Sequence, residues 1–140
     1  MRIFHSKKGF TLAELLIAIA ILGILASLAI PRLFPQTERA RASEAISILS
    51  AIRQGEESYF LENGSYLDAA AADPDAVWNQ LGLEDPNDSV IFFTYDVAAS
   101  AAAYTITATR TAANDGGGNA GKVITLDRLG NFGGDHPNVP

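Results

Sequence analysis

The spacing of apolar residues changes character along this chain, and each spacing predicts a different element. Residues 10–30 read FTLAELLIAIAILGILASLAI, an unbroken apolar run whose only charge is Glu14. A helix of this run rises about 1.5 Å per residue and is roughly 31 Å long, which matches the hydrocarbon thickness of a bilayer. Further on, Ala42, Ala45, Ile46, Leu49, Ile52, Tyr59 and Phe60 recur at three- and four-residue steps, with Arg39, Ser43, Ser47, Gln54 and Glu57 between them. That period predicts a helix with one buried face, continuing to about residue 62. Pro31 and Pro35 lie between the two halves and are expected to weaken or kink the backbone ladder. Asn63-Gly64 supplies the stop signal, with Gly64 in the position of a left-handed C-cap. A helix over 10–62 would be roughly 80 Å long, so a protruding rod is expected.

Beyond the helix the period falls to two. Residues 63–88 form a connection containing Ala, Asp and Pro, with a short helix expected around 76–81. Residues 89–97 are rich in β-branched and aromatic side chains, residues 104–111 alternate Tyr, Ile, Ala and Arg with Thr, and 122–126 read KVITL. These predict three strands. The Gly-rich stretch 112–121 between the last two reads as a hairpin loop. An antiparallel meander with one face on the amphipathic helix stripe is the expected architecture, so the fold class is α+β.

Charge divides the chain in the same place as hydropathy. The total is 10 Lys and Arg against 16 Asp and Glu, but Arg2, Lys7 and Lys8 all precede the first acidic residue. The body is therefore strongly acidic and lacks the clustered basic stripe that phosphate binding requires, and no nucleic-acid site is evident. The basic leader before the apolar run places the N-terminus in the cytoplasm and the acidic body outside, by the positive-inside rule. A secretory signal peptide is the competing reading, with Ser27-Leu28-Ala29 as its small-residue cleavage site. Against it stand the length of the run, Glu14 inside it, and Pro31 at what would be the second position of the mature protein. The absence of Cys excludes disulfides, thiol chemistry and cysteine-ligated metal.

Glu14 carries two readings at this level. A carboxylate in an apolar helix costs about 2.5–3.5 kcal/mol at mid-membrane and less near an end. It can snorkel to the headgroups from one turn inside, or wait for a cation from a partner.

The phrase Lys7-Lys8-Gly9-Phe10-Thr11-Leu12-Ala13-Glu14-Leu15-Leu16, with the apolar run and Pro31 after it, resembles the class III signal of type IV pilins and the related pseudopilins of type II secretion. Tyr59-Phe60-Leu61-Glu62-Asn63-Gly64-Ser65-Tyr66 is similar to the junction between helix and following loop in many pilins. The resemblance implies a leader, residues 1–9, removed by a membrane-embedded prepilin peptidase between Gly9 and Phe10. The same enzyme would N-methylate Phe10. Residues 10–30 would be the transmembrane and assembly helix, and residues 31–140 a periplasmic or extracellular head. It further implies that the Phe10 ammonium of one subunit pairs with Glu14 of a neighbour and sets register, since a buried carboxylate without its partner costs several kcal/mol.

The chain departs from many pilins in lacking a C-terminal disulfide loop. Val77-Trp78-Asn79 is only a fragment of the aromatic motif usual in major pseudopilins. Asp115, Asp127 and Asp135 are candidate Ca²⁺ ligands by the same resemblance, although without EF-hand order. No other cofactor is expected. His136, the single histidine beyond the leader, cannot build a zinc site or a Ser-His-Asp arrangement alone. The Gly-rich loop lacks the order of a phosphate-binding motif. Asn63-Gly64-Ser65 and Asn87-Asp88-Ser89 match the N-glycosylation sequon, and cap or turn roles are the simpler reading. The tail from Gly130 to Pro137 is expected to pin the C-terminus to the sheet.

The expected function is that of a structural subunit in a type IV pilus-like filament, not an enzyme. Its partners would be like subunits, the prepilin peptidase, the inner-membrane assembly machinery and, before assembly, the lipid bilayer. A pseudopilin of type II secretion is the alternative within the class. A membrane-anchored or secreted binding module that never polymerises is the alternative outside it.

Overall fold

The computed structural model describes residues 9–88, 92–115 and 117–140, with only the backbone described over 29–34. The basic residues of the leader, the expected strand start at 89–91 and the side chain of Pro31 lie outside the described residues.

Helix α1, Leu12–Asn63, runs for 52 residues without a break in its assignment through Pro31 and Pro35. It ends as the sequence predicts. Gly64 adopts φ 73°, the left-handed conformation that costs an L side chain most and glycine nothing, and its N–H donates to the Phe60 carbonyl at 2.8 Å. Asn63 Nδ2 donates to the Tyr59 carbonyl at 3.0 Å, so a side chain adds to the backbone closure of the last turn. The chain divides into two units, 1–36 and 37–140, and the core belongs to the second.

In that second unit the connection carries a one-turn helix α2, Asp75–Trp78, and a 3-10 turn, Asn79–Leu81, close to the expected short helix. The sheet has four strands in sequential antiparallel order: β1 Phe93–Ala99, β2 Tyr104–Arg110, β3 Val123–Asp127 and β4 Phe132–Gly134. The three-strand expectation is thus short by one. Part of the tail that was to pin the C-terminus is itself a strand, paired Ile124 to Gly134 and Leu126 to Phe132. A three-residue strand with two glycines carries almost no period-2 signal, which is why it reads as a tail. At its other end β1 runs two residues beyond the expected Val97, to Ala99.

Alternation decides which face is buried. Phe93, Tyr95 and Val97 of β1, Tyr104, Ile106 and Ala108 of β2, and Ile124 and Leu126 of β3 all face inward. They meet Ala42, Ala45, Leu49 and Ile52 of α1 in one core with Trp78 and Leu81. Ile46, Tyr59 and Phe60 pack at its margin, half-buried. The outer edge of β1 is covered by the connection: Ala69 bridges Val97, Asp68 accepts from Ala99 N at 2.9 Å and Asp96 accepts from Ala71 N at 2.8 Å. An edge closed in this way is unavailable for uncontrolled strand pairing.

Candidate functional site

Gly9 and Phe10 are exposed and precede α1, and Thr11 caps the helix. Thr11 Oγ1 accepts from Glu14 N at 3.2 Å, while Thr11 N and Oγ1 both donate to Glu14 Oε2 at 2.9 Å. This reciprocal arrangement is a capping box, and it places a negative charge in the first turn where the helix dipole favours it. Glu14 therefore has a local partner within its own chain, a role the pattern Thr11-x-x-Glu14 spells out and a reading focused on the membrane overlooks. Every large apolar side chain described from Leu12 to Leu28 is more than half exposed. The one hydroxyl in the stretch, Ser27, is turned back onto the Ile24 carbonyl at 2.7 Å. A helix that is apolar all round must be covered by lipid or by other helices. Among the described residues no helix is long and apolar enough to cross a membrane. The described side chains stop at Leu28, before the end of the apolar run. Pro35 is exposed on α1.

The head is organised around a buried charge cluster. Arg110, the last inward residue of β2, has a fully buried side chain. Its Nε donates to Glu38 Oε1 at 2.7 Å and its Nη2 to Glu38 Oε2 at 3.2 Å. Its Nη1 reaches the carbonyls of Phe92, Thr111 and Ala113 at 3.2, 2.8 and 3.1 Å. The fork geometry of a guanidinium suits this multiple use. His136 Nε2 lies 3.1 Å from Glu38 Oε1 while its Nδ1 accepts from Asn138 N at 3.3 Å, a pattern that fits the tautomer protonated at Nε2. Arg41 adds a third contact to Glu38 at 3.3 Å and stacks over the Phe92 ring at 4.1 Å. Burial alone would push the Glu38 carboxyl up. The donors from Arg110 and His136, the Arg110 charge and the donor from Arg41 outweigh it and hold the carboxyl below its ordinary value. One carboxylate thus ties α1, β2 and the C-terminal tail together.

Periodicity could have found it. Glu38, Ala42, Ala45, Leu49, Ile52 and Glu56 follow in four- and three-residue steps, so both acids lie in phase with the buried stripe. Arg110 is equally in phase with Tyr104, Ile106 and Ala108. Treating every charged position as solvated hides all three.

The three candidate Ca²⁺ aspartates sit in separate places, one in the β2–β3 loop, one at the end of β3 and one just after β4. Asp115 accepts from Asn119 N and Ala120 N at 2.9 and 2.7 Å in the β2–β3 loop. Asp127 accepts from Asn131 N and Nδ2 at 2.8 and 2.9 Å across the β3–β4 turn, and Asp135 accepts from Val123 N at 2.8 Å. These donors lower the Asp115 and Asp127 carboxyls from their ordinary values. Among the described residues no three His, Cys, Asp or Glu side chains gather where a metal ion could be held. Of the two sequon asparagines, Asn87 is committed to the fold: its side chain pairs with both Tyr95 N and Tyr95 O at 2.7 and 3.1 Å, as a strand residue would. Trp78 is fully buried in the core.

Two family models match this chain, the prokaryotic N-terminal methylation motif over residues 4–30 and pilin (bacterial filament) over residues 38–136. Among similar proteins, a fimbrial protein of Pseudomonas aeruginosa is 43% identical over 65 residues, which is 46% of this chain and 42% of that protein. The type IV major pilin protein PilA of Myxococcus xanthus is 44% identical over 64 residues, 46% of this chain and 29% of that protein. The type II secretion system core protein G of Escherichia coli is 38% identical over 66 residues, 47% of this chain and 46% of that protein. The chain thus spans less than half the length of these relatives. The pilin match covers the α1 stripe, the connection and the whole sheet, so the chain belongs to the pilin family of bacterial filament proteins, a family of structural subunits and not of enzymes.

Proposed function

We propose that this chain is a structural subunit of a type IV pilus-like filament. It enters the inner membrane as a precursor with its N-terminus in the cytoplasm. Prepilin peptidase cleaves it after Gly9 and methylates Phe10, and the assembly machinery then moves it into an extracellular or periplasmic fibre with like subunits. The observation that carries this reading is the exposed apolar surface of α1 from Leu12 to Leu28, whose only charge is Glu14, beginning just after Gly9-Phe10. Lipid covers that surface before assembly and neighbouring helices cover it afterwards, since both satisfy an all-round apolar helix. Glu14 then has two tasks, capping its own helix through Thr11 and meeting the Phe10 ammonium of a neighbour.

Sheared surface fibres from cells whose only pilin is this one test the reading. Their subunit mass should correspond to a chain starting at N-methylated Phe10. Thr11→Ala removes the cap donor and should leave fibres in place, whereas Glu14→Ala should abolish them. Equal fibre yields in the two variants would reduce Glu14 to a capping residue. A mature chain starting at Ile30 would end the filament reading. The match to a type II secretion core protein supports a second reading, a pseudopilin of a secretion system. Loss of thermal stability on chelating Ca²⁺, with Asp115, Asp127 or Asp135 as ligands, would favour it.

A further inference from the structure

The head contains a second buried carboxyl that the Arg110 cluster does not use. Glu56 is fully buried on α1, yet among the described residues no cation acts on it. Its Oε2 accepts a single hydrogen bond from Leu67 N at 3.0 Å, and its Oε1 has no partner among the described residues. The charges that act on it are Glu57 on the same helix and Asp68 in the connection, both acids. Arg53, one turn back on α1, is committed to the Arg128 carbonyl at 3.3 Å. Trp78 of α2 and Leu81 of the 3-10 turn, which share the core with α1, bring no charge. An ionised carboxylate in such a place would be an unpaired buried charge, which folded proteins avoid by holding the proton.

The neighbourhood leaves little room to relax. Gly55 lets α1 approach the 3-10 turn so closely that a Cβ there would lie 2.6 Å from the Leu81 carbonyl oxygen. Trp78 is fully buried, and its Nε1–H is likewise without a partner among the described residues. The Glu56 to Leu67 bond is thus the polar link between α1 and the start of the connection.

We infer that Glu56 is a proton-dependent latch: as the neutral acid it holds residues 66–69 of the connection against α1, and loss of its proton to solvent loosens that attachment. Burial is the largest cause; with the charges of Glu57 and Asp68 it outweighs the Leu67 N–H, which by itself favours the ionised form, and pushes the Glu56 carboxyl up to about 7. The attachment therefore weakens towards neutral pH because the buried charge, not the hydrogen bond, becomes costly. Opening exposes the carboxyl and returns it to its ordinary value of 4.5, so the open form is favoured progressively as pH rises from there to about 7 and no further above it.

Amide exchange on the full-length chain in detergent micelles tests this. After division by the intrinsic base-catalysed rate, exchange at Leu67 N–H should rise at least tenfold between about pH 5 and about pH 7.5. In Glu56→Gln, an isostere of the neutral acid, it should stay flat. A flat profile in the unsubstituted chain, or an equal rise in the variant, overturns the latch. Should Glu56→Gln fail to fold, the carboxyl ¹³C shift of Glu56 in the unsubstituted chain decides alone. A midpoint near neutrality supports the inference, and one below about 5 overturns it.

Discussion

At the scale of single residues, the decisive side chains of the head are charged ones in apolar positions. Arg110 has its charge compensated through Glu38, and the remaining donors of its fork are satisfied by carbonyls that stay in place whatever stands at position 38. Glu38→Ala would leave a buried guanidinium uncompensated, which costs about 3–5 kcal/mol. Replacing both partners, Glu38→Met with Arg110→Met, should recover much of that loss, because paired apolar groups of similar volume are close to neutral in such sites. Urea midpoints of the two variants and the parent, in the same micelles, measure this. A double variant no more stable than Glu38→Ala would show that the cluster contributes through packing instead of charge. These residues were legible in position but not in role. Glu38 and Arg110 stand on stripes whose phase is plain in the sequence, and only three-dimensional closure reveals that the two stripes bring them together. The aspartates at 115, 127 and 135 show the converse: residue type alone suggests ligation, and only the structure reveals that each carboxylate also accepts backbone N–H groups of the fold.

At the scale of elements, the long helix was readable from both ends: its cap residues Thr11 and Glu14 and its stop at Asn63-Gly64 are local chemistry. The strands with two or three inward apolar residues were readable too. The short β4, held by its pairing with β3, was not. The glycines expose a difference between elements that propensity alone misses. Alanine in a helix interior normally gains about 0.5–1 kcal/mol over glycine. At Gly55 that gain is set against a Cβ 2.6 Å from the backbone oxygen of Leu81, which cannot swing aside as a side chain could. Overpacking of this kind costs about 1–3 kcal/mol, so Gly55→Ala should destabilise the head in spite of its better propensity. Gly64 has open space around it and only its φ of 73° to defend, so Gly64→Ala should cost about 1 kcal/mol through backbone strain alone. Thermal melts should separate them further by Trp78 fluorescence. Gly55→Ala pushes α1 away from Leu81, three residues beyond Trp78, and Gly64→Ala leaves that contact untouched. A Gly55→Ala variant more stable than its parent would mean that α1 and the connection can part without cost.

At the scale of the whole molecule, the two buried acids on one helix pull stability in opposite directions with pH. Glu38 has a lowered value when folded, so its contribution is fully present above 4.5 and is lost as pH falls through the folded value. Asp115 and Asp127, also lowered, act in the same sense from an ordinary value of 3.8. Glu56 is raised to about 7, so its contribution is fully present below 4.5 and is lost between 4.5 and about 7. The two windows meet, and the chain should be most stable in mildly acidic solution, around pH 4.5, not near neutrality. Glu56→Gln removes the upper window alone and should shift the maximum toward neutral pH while leaving the acid limb unchanged. Glu38→Ala should flatten the acid limb and leave the fall toward pH 7 intact. Thermal midpoints of the three chains from about pH 3 to about pH 8 read both limbs at once. A parent whose midpoint climbs steadily to pH 7 would mean that Glu56 finds a counter-charge on folding. Its place on the core stripe would then need a different account from the one its neighbours Glu57 and Asp68 supply.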